Sequence, residues 1–255
     1  MGDFVTSLLG NPYLSEVGNI IQWPIWSILG AIVGWTFPHL YRWFKTRGQR
    51  KFWKPFIAGK GPLPVVLTDK AGAKPRSPAK VSITDVQAYS EVRSALADFR
   101  KVKIRAGSAV RIDELIEDSF VTLGGPKANG ITEQVLQRLG GRVPVLYDQV
   151  SGAFRFKGDE FAPVYDAREF VARDYALILR LLHLDDKNSK SKAVLVVFGL
   201  HGHGTEQAVR AISDHDPLYQ RISPYFGKDC WAFLRFDYTD HSCTDRTVID
   251  AGKLN

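Results

Sequence analysis

The chain has 255 residues, 45% of them hydrophobic and 24% charged, with a formal net charge of +7 and two cysteines. That composition suits one or two globular domains and excludes disordered, collagenous and low-complexity classes. Cys230 and Cys243 are too few for a disulfide framework and lack zinc-finger spacing; as free thiols they fit a reducing cytosol.

Between Glu16 and Arg42 lie 25 residues without Asp, Glu, Lys or Arg. A helix rises about 1.5 Å per residue, so roughly 20 apolar residues cross the hydrocarbon core of a membrane. Residues 20–41 are therefore expected to form one transmembrane helix, with Trp23, Trp26, Trp35 and Tyr41 towards its ends. Pro24 suits a first turn, and Pro38 should kink or end the helix. A buried core helix is the alternative, against which the length of the uncharged run and the cations after it both count. Those cations are Arg42, Lys45, Arg47, Arg50, Lys51 and Lys54. By the positive-inside rule they place residues 1–19 outside as a short extracytoplasmic tail, and the C-terminal part in the cytosol. Residues 42–62 then form a basic juxtamembrane linker drawn to the anionic headgroups of the lipid bilayer. Residues 1–54 hold 6 of the 34 cations and 2 of the 27 acids, leaving 28 and 25 for the rest. The basicity is thus local and gives little support to nucleic-acid duplex binding.

Residues 63–255 read as a cytosolic α/β domain. Leu63–Leu67 is a strand compatible with a sheet edge because of Pro64. Ile83–Phe99 has helical spacing, capped by Ser82 or Thr84, with Asp85 favourable at the positive end. Short strands are predicted at Val102–Ile104, Ser119–Leu123 and Val143–Tyr147, a helical turn at Asp113–Glu117, and a helix from Ile131 to Leu139. Phe154–Phe156 and Phe161–Tyr165 flank Lys157-Gly158-Asp159 as a hairpin. Tyr175–Leu182 and Ala193–Phe198 are hydrophobic strands, the second apolar on both faces as a central strand is. A helix over Thr205–Ile212, a strand over Trp231–Phe236 and a short element at Val248–Leu254 complete the chain. Alternating strands and helices predict a Rossmann-like, mostly parallel sheet with β-hairpin insertions, preceded by the transmembrane helix.

Two units repeat one arrangement. A strand runs into Gly124-Gly-Pro-Lys-Ala-Asn-Gly130 and then a helix beginning Ile131-Thr-Glu-Gln; another runs into Gly199-Leu-His-Gly-His-Gly204 and then Thr205-Glu-Gln. Glycines let the chain turn sharply and a ligand approach closely, and the open amides at the following helix start attract an anion, most often phosphate. In open α/β sheets such loops meet in a crevice at the carboxyl ends of the strands. Glycine-rich turns also arise for geometry alone, and neither loop fits GxxxxGK[ST] or G-x-G-x-x-G.

Gly124, Gly125 and Asn129, with Gly202, Gly204, Thr205 and Glu206, resemble the glycine loops of the Rossmann-like nucleotide-sensing domains of bacterial signalling and antiviral defence systems, the SLOG and CARF classes. The resemblance covers residues 63–212 at most. It implies a sensor or effector that binds a nucleotide second messenger. Leu200-His-Gly-His stands where lysine-decarboxylase-like SLOG relatives carry Pro-Gly-Gly, a departure that speaks against their phosphoribohydrolase activity.

Other residues carry weaker signals. Lys127 either reaches a phosphate or is solvated. Asp174 either meets a ribose hydroxyl or caps a neighbouring turn. His201 and His203 face a ligand phosphate or their own loop. His215 between Asp214 and Asp216 has metal-ligating chemistry but no metallohydrolase spacing. Asp237, Asp240, His241 and Asp245 read as a polar loop. The resulting expectation is a single-pass cell-membrane protein that senses a nucleotide or another phosphate-bearing ligand across loops 124–130 and 199–205, without a cofactor, and responds by rearranging or by forming a homo-oligomer. The alternatives are a membrane-tethered nucleotide or NAD hydrolase using His201, His203 or Glu206, and a non-catalytic scaffold.

Overall fold

The computed structural model describes residues 31–37, 51–59, 61–68, 81–184, 192–213 and 217–254. The chain divides into two compact units, Met1–Gly48 and Gln49–Asn255. In the first, residues 31–37 are helical (α1).

No helix among the described residues is long and apolar enough to cross a membrane. This corrects the expected transmembrane helix and, with it, the cell-membrane location. The rest of the segment 20–41 lies outside the described residues. Charge alone misleads here. Between Pro24 and Pro38 lie 13 residues, fewer than the roughly 20 apolar residues a spanning helix needs.

The second unit begins ahead of the expected boundary at residue 63. Residues 51–57 form a helix (α2) whose Phe52, Trp53 and Phe56 are fully buried while Lys51 and Lys54 stay exposed. The stretch expected as a basic linker therefore contributes to the core. Arg180 ties it down: its Nε donates to the Phe52 carbonyl at 3.0 Å, and its guanidinium lies over the Phe52 and Phe226 rings.

The unit is built on one eight-stranded sheet. Its strands are β1 (Leu63–Leu67), β2 (Val102–Ala106), β3 (Phe120–Leu123), β7 (Val164–Tyr165), β8 (Val171–Leu181), β9 (Val194–Gly199), β10 (Cys230–Thr239) and β11 (Ser242–Lys253). The order is β11-β10-β8-β9-β3-β1-β2, with β7 beside β8. The sheet is mixed, which corrects the expected mostly parallel one. Pairs β2–β1, β1–β3 and β3–β9 are parallel, whereas β9–β8, β8–β10, β10–β11 and β7–β8 are antiparallel. The apolar run of β8 is buried on both faces, as a parallel strand would be, so its sequence does not disclose its direction. The tail read as a short element is the twelve-residue β11. Asp240 and His241, both at positive φ, turn β10 into it; this left-handed pair makes a tight hairpin without the usual Asn-Gly signal. Pro64 does not confine β1 to an edge: β1 lies between β2 and β3.

Alternation along the parallel strands fills two cores. Leu63, Val65, Leu67, Val121, Leu123, Leu195 and Val197 face one side, with α3 (Ile83–Leu96) and α6 (Gly202–Ser213). Val66, Phe120, Val194, Val196 and Phe198 face the other. That side is covered by α4 (Ile112–Leu115), α5 (Gly130–Leu139) and a three-stranded sheet of β4 (Leu146–Asp148), β5 (Ala153–Phe156) and β6 (Asp159–Phe161). Phe154 packs on Phe198 and Phe233 with ring centroids 5.3 Å apart; burying one such ring contributes about 2–3 kcal/mol. A last helix, α7 (Pro217–Ile222), closes the first side.

Candidate functional site

Strands β1, β3 and β9 run parallel and end together. The chain leaves β1 for α3 on one face and β3 for α5 on the other, so a crevice opens between their carboxyl ends, where α/β sheets bind ligands. A cleft of ≈ 590 Å³ lies there, lined by Thr68 after β1, Gly124, Gly125 and Lys127 after β3, and Gly199, His201, Gly202 and Thr205 after β9. The two glycine loops thus reach one cavity. Ser82 and Asp85 from the start of α3, and Tyr147, complete its wall.

The glycines have definite steric causes. Gly124 sits at φ +95, and a Cβ there would overlap the Thr68 hydroxyl. A Cβ on Gly202 would overlap Thr84, and one on Gly204 the Asp174 carboxylate. Gly125 differs: its Cβ would meet Phe198 at an ordinary 3.5 Å. This glycine is not forced by packing; it leaves room in the cleft.

The helix starts are less open than the sequence implies. Asn129, 1% exposed, is the N-cap of α5: its Oδ1 accepts from the amides of Ile131 and Thr132, and its Nδ2 donates to Leu123 O at 2.8 Å and Thr122 Oγ1 at 3.0 Å. It braces loop 124–130 from beneath and does not line the cleft. At α6 the equivalent place is held by Asp174 of β8, fully buried. One carboxylate oxygen accepts from Gly204 N at 2.9 Å and His201 N at 3.2 Å; the other accepts from Tyr175 N at 2.8 Å. An internal anion therefore occupies part of the positive end of α6, and the turn-capping reading of Asp174 holds over the ribose contact. Thr205 Oγ1 accepts from Gly199 N at 2.8 Å and closes the loop further. The amides of Gly125 and Lys127 have no acceptor among the described residues, nor do those of Gly202 and His203 at the first turn of α6.

No family model, curated protein or solved structure matches the chain. The site is accordingly read from its own chemistry.

Besides the buried Asp85 carboxylate in its wall, two side chains supply charge or proton-transfer capacity towards a ligand. Lys127 is exposed at the mouth of the cleft. His201, partly exposed, shares a hydrogen bond of 2.8 Å between Nε2 and the Tyr165 hydroxyl, and its Nδ1 lies 3.8 Å from Asp174 Oδ1. That separation is too long for a hydrogen bond but places a buried carboxylate behind the imidazole.

The remaining predicted residues lie elsewhere. His203 and Glu206 face a separate polar cleft of ≈ 370 Å³ beside the β10–β11 hairpin. There Glu206 pairs with Arg210 at 2.9 Å, and Arg210 also meets Glu91 at 3.1 Å. The nearby Tyr238 hydroxyl is held protonated, its pKa raised chiefly by burial. Asp214, His215 and Asp216 lie outside the described residues. Asp237, Asp240 and Asp245 pair with Arg173, Arg168 and Arg235 respectively.

Sequence reading missed Thr68, Tyr147 and Tyr165 as members of the site. Thr68 was legible in principle as the residue following a strand that ends beside the glycine loops. Tyr147 sits on β4, which only tertiary folding brings to the cleft, and Tyr165 sits on β7, which brings it to His201.

Proposed function

We propose that the α/β unit binds a small phosphate-bearing ligand of nucleotide type in the cleft at the ends of β1, β3 and β9, and acts as a sensor of it. One observation carries this reading: three strand-end turns open into a single ≈ 590 Å³ cavity, within the range of about 300–1,000 Å³ typical of ligand pockets. Lys127 supplies the positive charge, the amides of Gly125 and Lys127 supply donors, and Thr68 and Ser82 add hydroxyls. Helix ends alone supply less, since Asn129 and Asp174 cap two of them from within. The resemblance of the glycine loops to the SLOG and CARF classes supports the sensing role.

Calorimetry on the whole chain with nucleoside phosphates, cyclic oligonucleotides and ADP-ribose tests the proposal. Binding is expected to weaken at least tenfold in Gly125→Val, which fills the cleft, and several-fold in Lys127→Ala. Absence of heat with every phosphate compound would overturn it.

A second reading, hydrolysis of the bound ligand, is favoured by the Asp174–His201–Tyr165 line. A carboxylate behind an imidazole is how a general base is oriented. Turnover that disappears in His201→Asn while binding persists would select the enzyme; binding without turnover selects the sensor.

A further inference from the structure

A second cavity adjoins the cleft. It measures ≈ 220 Å³ and is walled by Pro126, Leu136, Val143, Val145, Tyr147 and Phe198. This volume falls below the range for whole-ligand pockets and suits one part of a molecule. The two cavities share part of their walls. Tyr147 lines both; Pro126 lines the slot while its neighbours Gly125 and Lys127 line the cleft; Phe198 lines the slot while the next residue, Gly199, lines the cleft. At these points the wall residues of the two cavities are consecutive in the chain, about 3.8 Å apart at their Cα atoms.

The slot has a polar rim. Glu133, in the first turn of α5, accepts at Oε1 from Gln137 Nε2 at 3.4 Å and from Gln149 Nε2 at 3.2 Å. Its second oxygen has no partner among the described residues, and an ionised carboxylate accepts only. That oxygen is open to an N–H donor from a group seated in the slot. The walls are apolar: Tyr147 packs edge to face on the fully buried Phe198, at 85° with centroids 6.0 Å apart. Leu146 adds an exposed apolar side chain at the margin.

We propose that this slot seats the amino-bearing nucleobase of the ligand whose phosphate lies in the cleft, with Glu133 accepting from the exocyclic amine. The inference rests on the phosphate-binding reading above and narrows it to nucleotides of adenine, guanine or cytosine. Uracil offers only its ring N3–H and no exocyclic amine, and ribose phosphates offer no ring.

Calorimetry on the full chain with AMP, GMP, CMP, UMP and ribose 5-phosphate decides it. At least one of AMP, GMP and CMP is expected to bind ten times more tightly than UMP and ribose 5-phosphate. Leu136→Trp, at a half-buried position that can point a large ring into the slot, should erase that gap and leave ribose 5-phosphate affinity unchanged. Glu133→Gln should narrow the gap to UMP. Equal affinity for ribose 5-phosphate and all four nucleotides would overturn the nucleobase slot while leaving the phosphate cleft standing, as would equal affinity for UMP and the amino-bearing nucleotides. No binding of any of the five would overturn the nucleobase slot, and the phosphate cleft with it if cyclic oligonucleotides and ADP-ribose also give no heat.

Discussion

The carboxylate of Asp174 on β8 receives the amide of Gly204 on α6 at 2.9 Å, and a Cβ on Gly204 would overlap that same oxygen. The glycine is there so that a buried charge can sit at the helix start. Asp174→Ala strands three amides and is expected to cost about 2–4 kcal/mol; Asp174→Asn keeps an acceptor but loses the charge and should cost about 1–2 kcal/mol. Gly204→Ala should be comparably harmful alone. In urea unfolding, the double variant Asp174→Ala/Gly204→Ala should lose less than the two singles added together, because removing the carboxylate relieves the overlap. Additive losses would show that the two residues act separately.

Adjacent glycines in the first loop should part company. Gly124, with its positive φ and the Thr68 contact, is expected to lose about 2 kcal/mol or more on change to Ala. Gly125→Ala should stay within about 1 kcal/mol, since its Cβ makes an ordinary contact. In a chain of this size the first loss corresponds to a fall in Tm of roughly 4–8 °C and the second to at most about 4 °C. Thermal unfolding followed by circular dichroism separates them.

Helix α2 should prove indispensable despite its basic flanks. Phe52→Ala is expected to cost about 3–5 kcal/mol, because the ring is fully buried against Trp53, Phe226 and the Arg180 guanidinium. A chain starting at Gln49 should unfold cooperatively. One starting at residue 58 should not, having lost Phe52, Trp53 and Phe56. Cooperative melting of the shorter chain would contradict the packing described for α2.

Alkaline pH should destabilise the fold through Cys230. Burial pushes its thiol up to about 11 from the ordinary 9.0, against the opposing pull of Arg180. The group is neutral in both states below pH 9, so its contribution is fully present there. Between about pH 9 and 11 only the unfolded chain ionises, and up to about 2–3 kcal/mol is lost. Tyr219, pushed up to about 12 mainly by burial, should extend the loss to higher pH. Urea midpoints at pH 8, 9.5 and 11 should fall, and fall less in Cys230→Ala. An identical slope in both proteins would exclude the thiol as the cause.

Much of the local structure was legible in the residues. Apolar runs located β3, β8 and β9, and 3.6-residue spacing located α3 and α5. Glycines after β3 and β9 marked the strand-end turns that line the cleft. Other features were hidden. The amphipathic face Phe52-Trp53…Phe56 was masked by neighbouring lysines, and an uncharged run passed for a membrane span although Pro24 and Pro38 interrupt it. Asn129 and Asp174 looked like ligand contacts because a side chain that caps a helix start and one that binds a ligand there are the same residue types.

The sequence by itself determined which segments become strand, helix and glycine turn, because periodicity and turn chemistry act over a few neighbouring residues. Only the tertiary structure decided that half the sheet runs antiparallel, that Asp174 fills the end of α6 from within, and that Tyr147 walls both a polar cleft and an apolar slot. Strand direction, buried capping and cavity shape depend on contacts between residues far apart in the chain, and local pattern carries no record of those.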